Sequence, residues 1–274
     1  MKLQDLYQYS QQYPQRQQKM PVVFVGHGHP LNAVMDNSFT RALSQAGQQI
    51  ERPNAILVIS AHWETVGTYV SYNPAPRTIY DFGKFDERLY QMSYDAMGAP
   101  ELAQELQEMV TITAVKKDMT MGFDHAAWTM LKFLRPAADV PVFEMSVDFT
   151  KSPEFHYELG GQLKTLRDKG VLIVCSGNIV HNLRLSDWKN IDAKPYDWNI
   201  EFDHWVKQAL DQHDFRRLIH HQQMGAAAGL AVPTSDHYLP MLYCLGMIDQ
   251  DEEIRQIYEG YQFAAMSMRC FIAG

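Results

Sequence analysis

Three cysteines in 274 residues, far apart and without a Cys-x-x-Cys pair, exclude a disulfide framework and a paired-cysteine zinc module. Cys175, Cys244 and Cys270 each sit in an apolar run, the setting of buried free thiols in a reducing compartment. No stretch reaches the roughly 20 apolar residues that a bilayer span needs. The first residues, Met1-Lys-Leu-Gln-Asp-Leu-Tyr7, are polar where a secretory signal is apolar, so a cytoplasmic location without membrane attachment is expected. Positive charge is in deficit. The formal net charge is -8 and no basic stripe is visible, which argues against nucleic acid as a partner. Gly-x-Gly-x-x-Gly and Gly-x-x-x-x-Gly-Lys are missing, so neither a dinucleotide fold nor a phosphate loop is indicated. His-Glu-x-x-His is missing too, and Val174-Cys-Ser-Gly-Asn178 breaks the Gly-x-Ser-x-Gly elbow of serine hydrolases.

What the chain does have is histidine at the ends of apolar runs. Pro21-Val-Val-Phe-Val-Gly-His-Gly-His-Pro30 reads as a short buried strand that delivers His27, with Gly26 and Gly28 leaving the backbone free to turn. Ala55-Ile-Leu-Val-Ile-Ser-Ala-His-Trp63 repeats the arrangement and delivers His62. Gly170-Val-Leu-Ile-Val-Cys-Ser-Gly177 is followed by Asn178 and His181. Ligands of parallel α/β sheets sit outside the carboxyl ends of strands, so these imidazoles can converge on one point. Singly, each is as readily a hydrogen-bonded core histidine; as a set they read as a metal site.

Strands alternating with helices give an α/β protein of one domain, residues 21–274, preceded by an N-terminal helix and linker over residues 1–20. Asn37 or Ser38 can cap a helix to about residue 48. A loop rich in Pro, Tyr, Asp and Phe spans residues 73–86, and a strand is expected near 112–115. Asp124 is placed to cap a helix with His125 in its first turn, where the positive helix terminus favours neutral imidazole. Thr234 or Ser235 is expected to cap the helix that runs through Leu242 and Met247, placing His237 in its first turn. Residues 254–258 and 263–272 read as closing strands. His237 joins His27, His62 and His181 as a fourth candidate ligand. Neutral imidazole suits Fe(II), Zn, Cu and Ni alike, so composition does not choose the metal.

Five blocks together carry a resemblance: Gly26-His-Gly-x-Pro30, Ser60-Ala-His-Trp63, Gly122-Phe-Asp-His125, Ser176-Gly-Asn-x-x-His-Asn-Leu183 and Pro233-x-x-x-His-Tyr-Leu-Pro240. In order and over most of the chain, they resemble the class III extradiol ring-cleavage dioxygenases, and within them the LigB-like DOPA 4,5-dioxygenase branch. The resemblance implies an α/β sandwich, with a mostly parallel central sheet flanked by helices, around a mononuclear non-haem metal. It matches His27, His62 and His237 to metal ligands, His181 to a fourth ligand or a group just behind them, and His125 to a pocket acid/base. Two departures stand out. His237 falls where many extradiol enzymes use a carboxylate, and an all-imidazole site also holds zinc well. His29 stands where relatives often have serine.

The implied reaction takes a catechol and O₂ on Fe(II). A neutral histidine, His125 or His181, removes a phenolic proton, and the ring opens beside rather than between the hydroxyls. Zinc is expected in purified protein, because imidazole binds Zn(II) more tightly than Fe(II). Trp63, Phe123 and Tyr238 adjoin the expected ligands and are candidate ring contacts. Arg77 and Arg184 are the candidate cations for a substrate carboxylate. Two rival readings use the same imidazoles: a zinc hydrolase with Glu64 or Asp236 as its base, and a non-catalytic metal-binding protein on the same fold.

Overall fold

The computed structural model describes residues 19–274, so the amphipathic helix expected near residues 3–13 lies outside the described residues. Apolar, β-branched runs become the central strands β1 (Val22–Gly26), β2 (Ala55–Thr65), β5 (Val142–Asp148) and β6 (Val171–Gly177), and shorter or more polar segments become β3 (Thr68–Ser71), β4 (Val115–Asp118) and β7 (Ile254–Tyr258). β1, β5 and β6 are buried along their whole length, as expected of strands covered on both faces. Between them lie the helices α1 (Ser38–Gln49), α2 (Pro100–Met109), α3 (His125–Leu134), α4 (Pro153–Leu163), α5 (Asp197–Asp211), α6 (Phe215–Ile219), α7 (Ala226–Ala231) and α8 (Leu239–Gly246).

The expected closing strand over residues 263–272 is broken into pieces. β8 (Tyr261–Gln262) and β9 (Met266–Ser267) form a small hairpin, and β10 (Cys270–Ala273) joins the main sheet. Phe263 and Ala264 take left-handed φ values of 51° and 62°, which an extended strand cannot accommodate. The strand expected near residues 112–115 begins only at Val115.

The main sheet has the order β4-β3-β5-β2-β6-β1-β10-β7. Its centre is parallel, with β1, β2 and β5 running alongside their neighbours and β6 between β1 and β2. Antiparallel pairings join β3 to β5 on one side and β10 to β1 and β7 on the other. Alternate residues feed two cores. Phe24, Leu57 and Ile173 pack with α2, α4, α5 and α8, while Val23, Val58 and Val174 pack with α1 and α3. This is the α/β sandwich expected, and its parallel centre brings the carboxyl ends of β1, β2 and β6 to one edge.

Candidate metal centre

Three of the expected ligands meet at that edge. The ring centroids of His27, His62 and His237 form a nearly equilateral triangle, with separations of 5.1 Å, 5.2 Å and 5.0 Å. One nitrogen from each lies within 4.8 Å of the others. His27 follows β1 directly, and its neighbour Gly28 turns the chain at φ 63°. His62 lies beyond the last pairing of β2 with β6, where the β2 register against β5 shifts between Ile59 and Glu64. Such an irregularity re-aims side chains at a sheet rim. His237 was expected inside the first turn of its helix but precedes it. Pro240, which lacks a donor and disfavours helical geometry in the residue before it, fits only the first turn, so α8 starts at Leu239. A separate turn, in which Tyr238 and Leu239 donate to the Ser235 carbonyl, holds His237.

Asn178 ties the His27 and His237 segments to each other and to β9. Its backbone donates to the His237 carbonyl (2.8 Å), its Oδ1 accepts from Gly28 N–H (3.1 Å) and its Nδ2 donates to the Ser267 carbonyl (2.7 Å). Gly177 permits the approach, since a Cβ there would lie 2.2 Å from the His237 carbonyl oxygen.

Each imidazole is oriented through Nδ1. Ser176 Oγ donates to the Ala126 carbonyl at 3.0 Å, so it accepts from His27 Nδ1–H, also at 3.0 Å. His237 Nδ1 donates to the Asp236 carboxylate, and His62 Nδ1 lies 3.3 Å from Asp81 Oδ2. The buried Nε2 atoms of His27 and His237 have no hydrogen-bond partner. Unpartnered buried nitrogens are costly, and two imidazoles locked through Nδ1 with Nε2 free, beside His62, form a donor set suited to a divalent metal. Burial, reinforced by the neighbouring imidazoles, holds His27 well below its usual pKa. Burial takes His237 to about 4 against the pull of Asp236, so both lone pairs are available at neutral pH. Burial also opposes charge on His62, but Asp81, Asp124 and Asp236 outweigh it and the net shift is upward.

His125 opens α3 behind the Asp124 cap, as expected. Asp81 Oδ1 accepts from its backbone N–H at 2.8 Å and Oδ2 accepts from its Nδ1 at 2.9 Å, leaving Nε2 as the basic atom. Burial lowers its pKa although Asp81 resists, which keeps the ring neutral. Its centroid stands 3.9 Å from His62. His181 does not join the triangle. It stacks on His237 at 3.5 Å and 11°, and its nitrogen groups with Asp236 and His237 rather than with His27 and His62.

The remaining candidates divide. Trp63 is buried next to His62 in the chain. Phe123 is fully buried, packed against Tyr94 beneath the aromatic loop, and Tyr238 is fully buried with its hydroxyl donating to the Leu218 carbonyl, so both rings belong to the cores. Arg77 and Arg184 are exposed; Arg184 also lines a cavity of ≈ 270 Å³ together with His181, Asp236 and His237. His29 is buried, its Nδ1 accepting from Leu31 N–H. Asp81 and Ser176, which orient three of the imidazoles, had no signal that set them apart from other loop acids and strand serines.

Residues 20–269 match the family described as the catalytic LigB subunit of aromatic ring-opening dioxygenase. The chain belongs to the LigB family. Among LigB relatives, the 4,5-DOPA dioxygenase extradiol of Escherichia coli K12 is 41% identical over 91% of this chain and 93% of its own length. The 4,5-DOPA dioxygenase extradiol of Beta vulgaris is 33% identical over 89% of this chain and 92% of its own. The crystal structure of an uncharacterized protein from Escherichia coli K12 superposes with a TM-score of 0.82 at 38% identity, covering 93% of this chain and 100% of that one. The LigB chain is therefore an extradiol ring-opening dioxygenase; of the two carboxylates considered as a hydrolase base, Asp236 is held by His237 Nδ1, and Glu64 is exposed on β2.

Proposed function

We propose that His27, His62 and His237 hold one divalent metal and that the enzyme opens the ring of a catechol such as DOPA with O₂. The observation that carries this reading is the pair of buried, unpartnered Nε2 atoms of His27 and His237, facing the same centre as His62. When bound, Fe(II) supplies Lewis acidity toward the catechol oxygens and the redox chemistry that O₂ requires. His125 takes the phenolic proton on Nε2, and Asp81, fixed on Nδ1, stabilises the imidazolium that results. His181, flat against His237, braces that ligand and presents a second, half-buried imidazole beside the centre. Phe82, 5.5 Å from the His125 ring, helps to exclude water there. Arg184, on the wall of the ≈ 270 Å³ cavity, and Arg77, on the aromatic loop, supply cations for a carboxylate-bearing substrate.

Iron is assigned to the active form and zinc to protein purified in air, since imidazole sites bind Zn(II) more tightly than Fe(II). The buried free thiols fit a cytoplasmic enzyme. Loading the metal-free protein with Fe(II) under anaerobic conditions and then admitting O₂ tests the reading. O₂ uptake that depends on catechol, about one O₂ per catechol, is expected. Zinc-loaded protein that hydrolyses esters or amides while the iron form ignores catechols would overturn it.

A further inference from the structure

His29 shares a loop with His27 but faces other company. Its Nδ1 accepts from Leu31 N–H at 3.1 Å, so in the neutral ring the hydrogen sits on Nε2. That Nε2 makes no hydrogen bond among the described residues and is not sealed from solvent, so it is open to a ligand. Three aromatic rings wall the imidazole: Phe85 at 4.6 Å, Phe263 at 5.4 Å and Trp188 at 5.8 Å. Phe85 continues to Phe82 at 5.9 Å, and Phe82 to His125 at 5.5 Å. An unbroken row of rings therefore runs from the proposed base to His29. At its outer end Phe85 is 41% and Trp188 50% exposed, large for aromatic side chains on a folded surface. A donor left open beside apolar rings is placed to meet a ligand that carries a polar group on an apolar arm, and the row of rings runs on to the proposed base.

We propose that His29 is a specificity-determining residue: Nε2–H donates to a carboxylate oxygen on the substituent of the catechol, while Phe85 and Trp188 cover the apolar part of that substituent. Trp188 stands four residues after Arg184 on the same loop. The inference rests on the reading of the centre as a catechol site.

Calorimetric titration of DOPA and of unsubstituted catechol into the zinc-loaded enzyme, without O₂, isolates binding from turnover. His29→Phe keeps a flat ring and removes the donor; His29→Gln keeps a donor. His29→Phe should weaken DOPA binding about tenfold, the scale of one lost hydrogen bond to a charged group. Unsubstituted catechol should stay within about twofold, and His29→Gln should retain most of the DOPA affinity. Equal weakening of both ligands, unchanged DOPA binding in His29→Phe, or a loss in His29→Gln as large as in His29→Phe overturns the proposal. Metal content near one equivalent in each variant shows that the centre itself is intact. O₂ uptake by the iron-loaded parent is measured alongside. If the parent consumes no O₂ with either catechol while the DOPA-specific loss persists, the ring-opening reading fails and the subsite stands.

Discussion

Asp81 divides the work between two adjacent histidines. Its Oδ2 lies 2.9 Å from His125 Nδ1 and 3.3 Å from His62 Nδ1, so one carboxylate orients a proposed ligand and the proposed base. Replacing His125 by Ala should lower turnover by about a hundredfold or more, the usual scale for a lost general base, with metal content near one equivalent. Loss of metal from that variant would make His125 a ligand instead. Arg184→Met should raise KM for DOPA and leave unsubstituted catechol nearly unaffected in steady-state O₂ uptake, and the same holds for Arg77→Met. Equal losses on both substrates would mark the arginine as structural. At this scale the histidines were legible because glycine, apolar runs and a cap placed them at chain turns. Asp81 and Ser176 were not, because a hydrogen-bond partner arriving from 44 or 149 positions away leaves no local pattern. Nor could Phe123 and Tyr238 be assigned, since a ring beside a ligand in sequence points to the core or the cleft according to packing alone.

Strand ends and helix starts, rather than whole elements, fix the site. Three apolar runs implied a parallel sheet but not its order, and the order β2-β6-β1 explains why His27 and His62 emerge at one edge. The start of α8 was missed because the capping residues at Thr234 and Ser235 outranked Pro240, whose steric demand decides the matter. The left-handed pair Phe263 and Ala264, which breaks the closing strand, carries no glycine to announce it. Beneath α3, two acids meet in the core. Asp124 donates its backbone N–H to Glu144 Oε1 at 3.2 Å, and the remaining oxygens, Asp124 Oδ2 and Glu144 Oε2, have no other partner. Burial, and then the Asp124 charge, raises the Glu144 carboxyl well above its usual range. A carboxyl raised in the folded state favours folding most below its unfolded pKa, and that contribution is lost as pH rises toward the folded pKa. Glu144→Gln mimics the protonated form at every pH. Its stability should fall less between about pH 5 and pH 8 than that of the parent, as read by urea unfolding. Parallel pH profiles would show that Glu144 ionises alike in both states.

The whole molecule closes around segments far apart in sequence. Arg167 donates to Glu252 at 2.5 Å and to the Met20 and Met247 carbonyls at 2.7 Å, joining the start of the described chain to the turn after α8. Buried Arg269 donates to Asp203 at 2.5 Å, which also accepts from Ser267 Oγ at 2.6 Å, and so anchors α5 to the hairpin behind the centre. The proposed ligands come from the start, the first third and the last sixth of the sequence, so a metal bound by all three cross-links the fold. Such an ion binds only the folded chain and adds about 4 kcal/mol at a thousandfold excess over its dissociation constant. For a chain of this size each kcal/mol moves the melting temperature by roughly 2–4 °C. Removing the metal with a chelator should therefore lower Tm by about 10 °C, and restoring zinc should recover it. His237→Ala should melt near the metal-free value with or without chelator, because one imidazole of the triangle is gone. His181→Ala separates the two roles assigned around that ligand: a shift on chelation close to that of the parent fits a ring that only stacks on His237, whereas a variant blind to chelator would make His181 a fourth ligand.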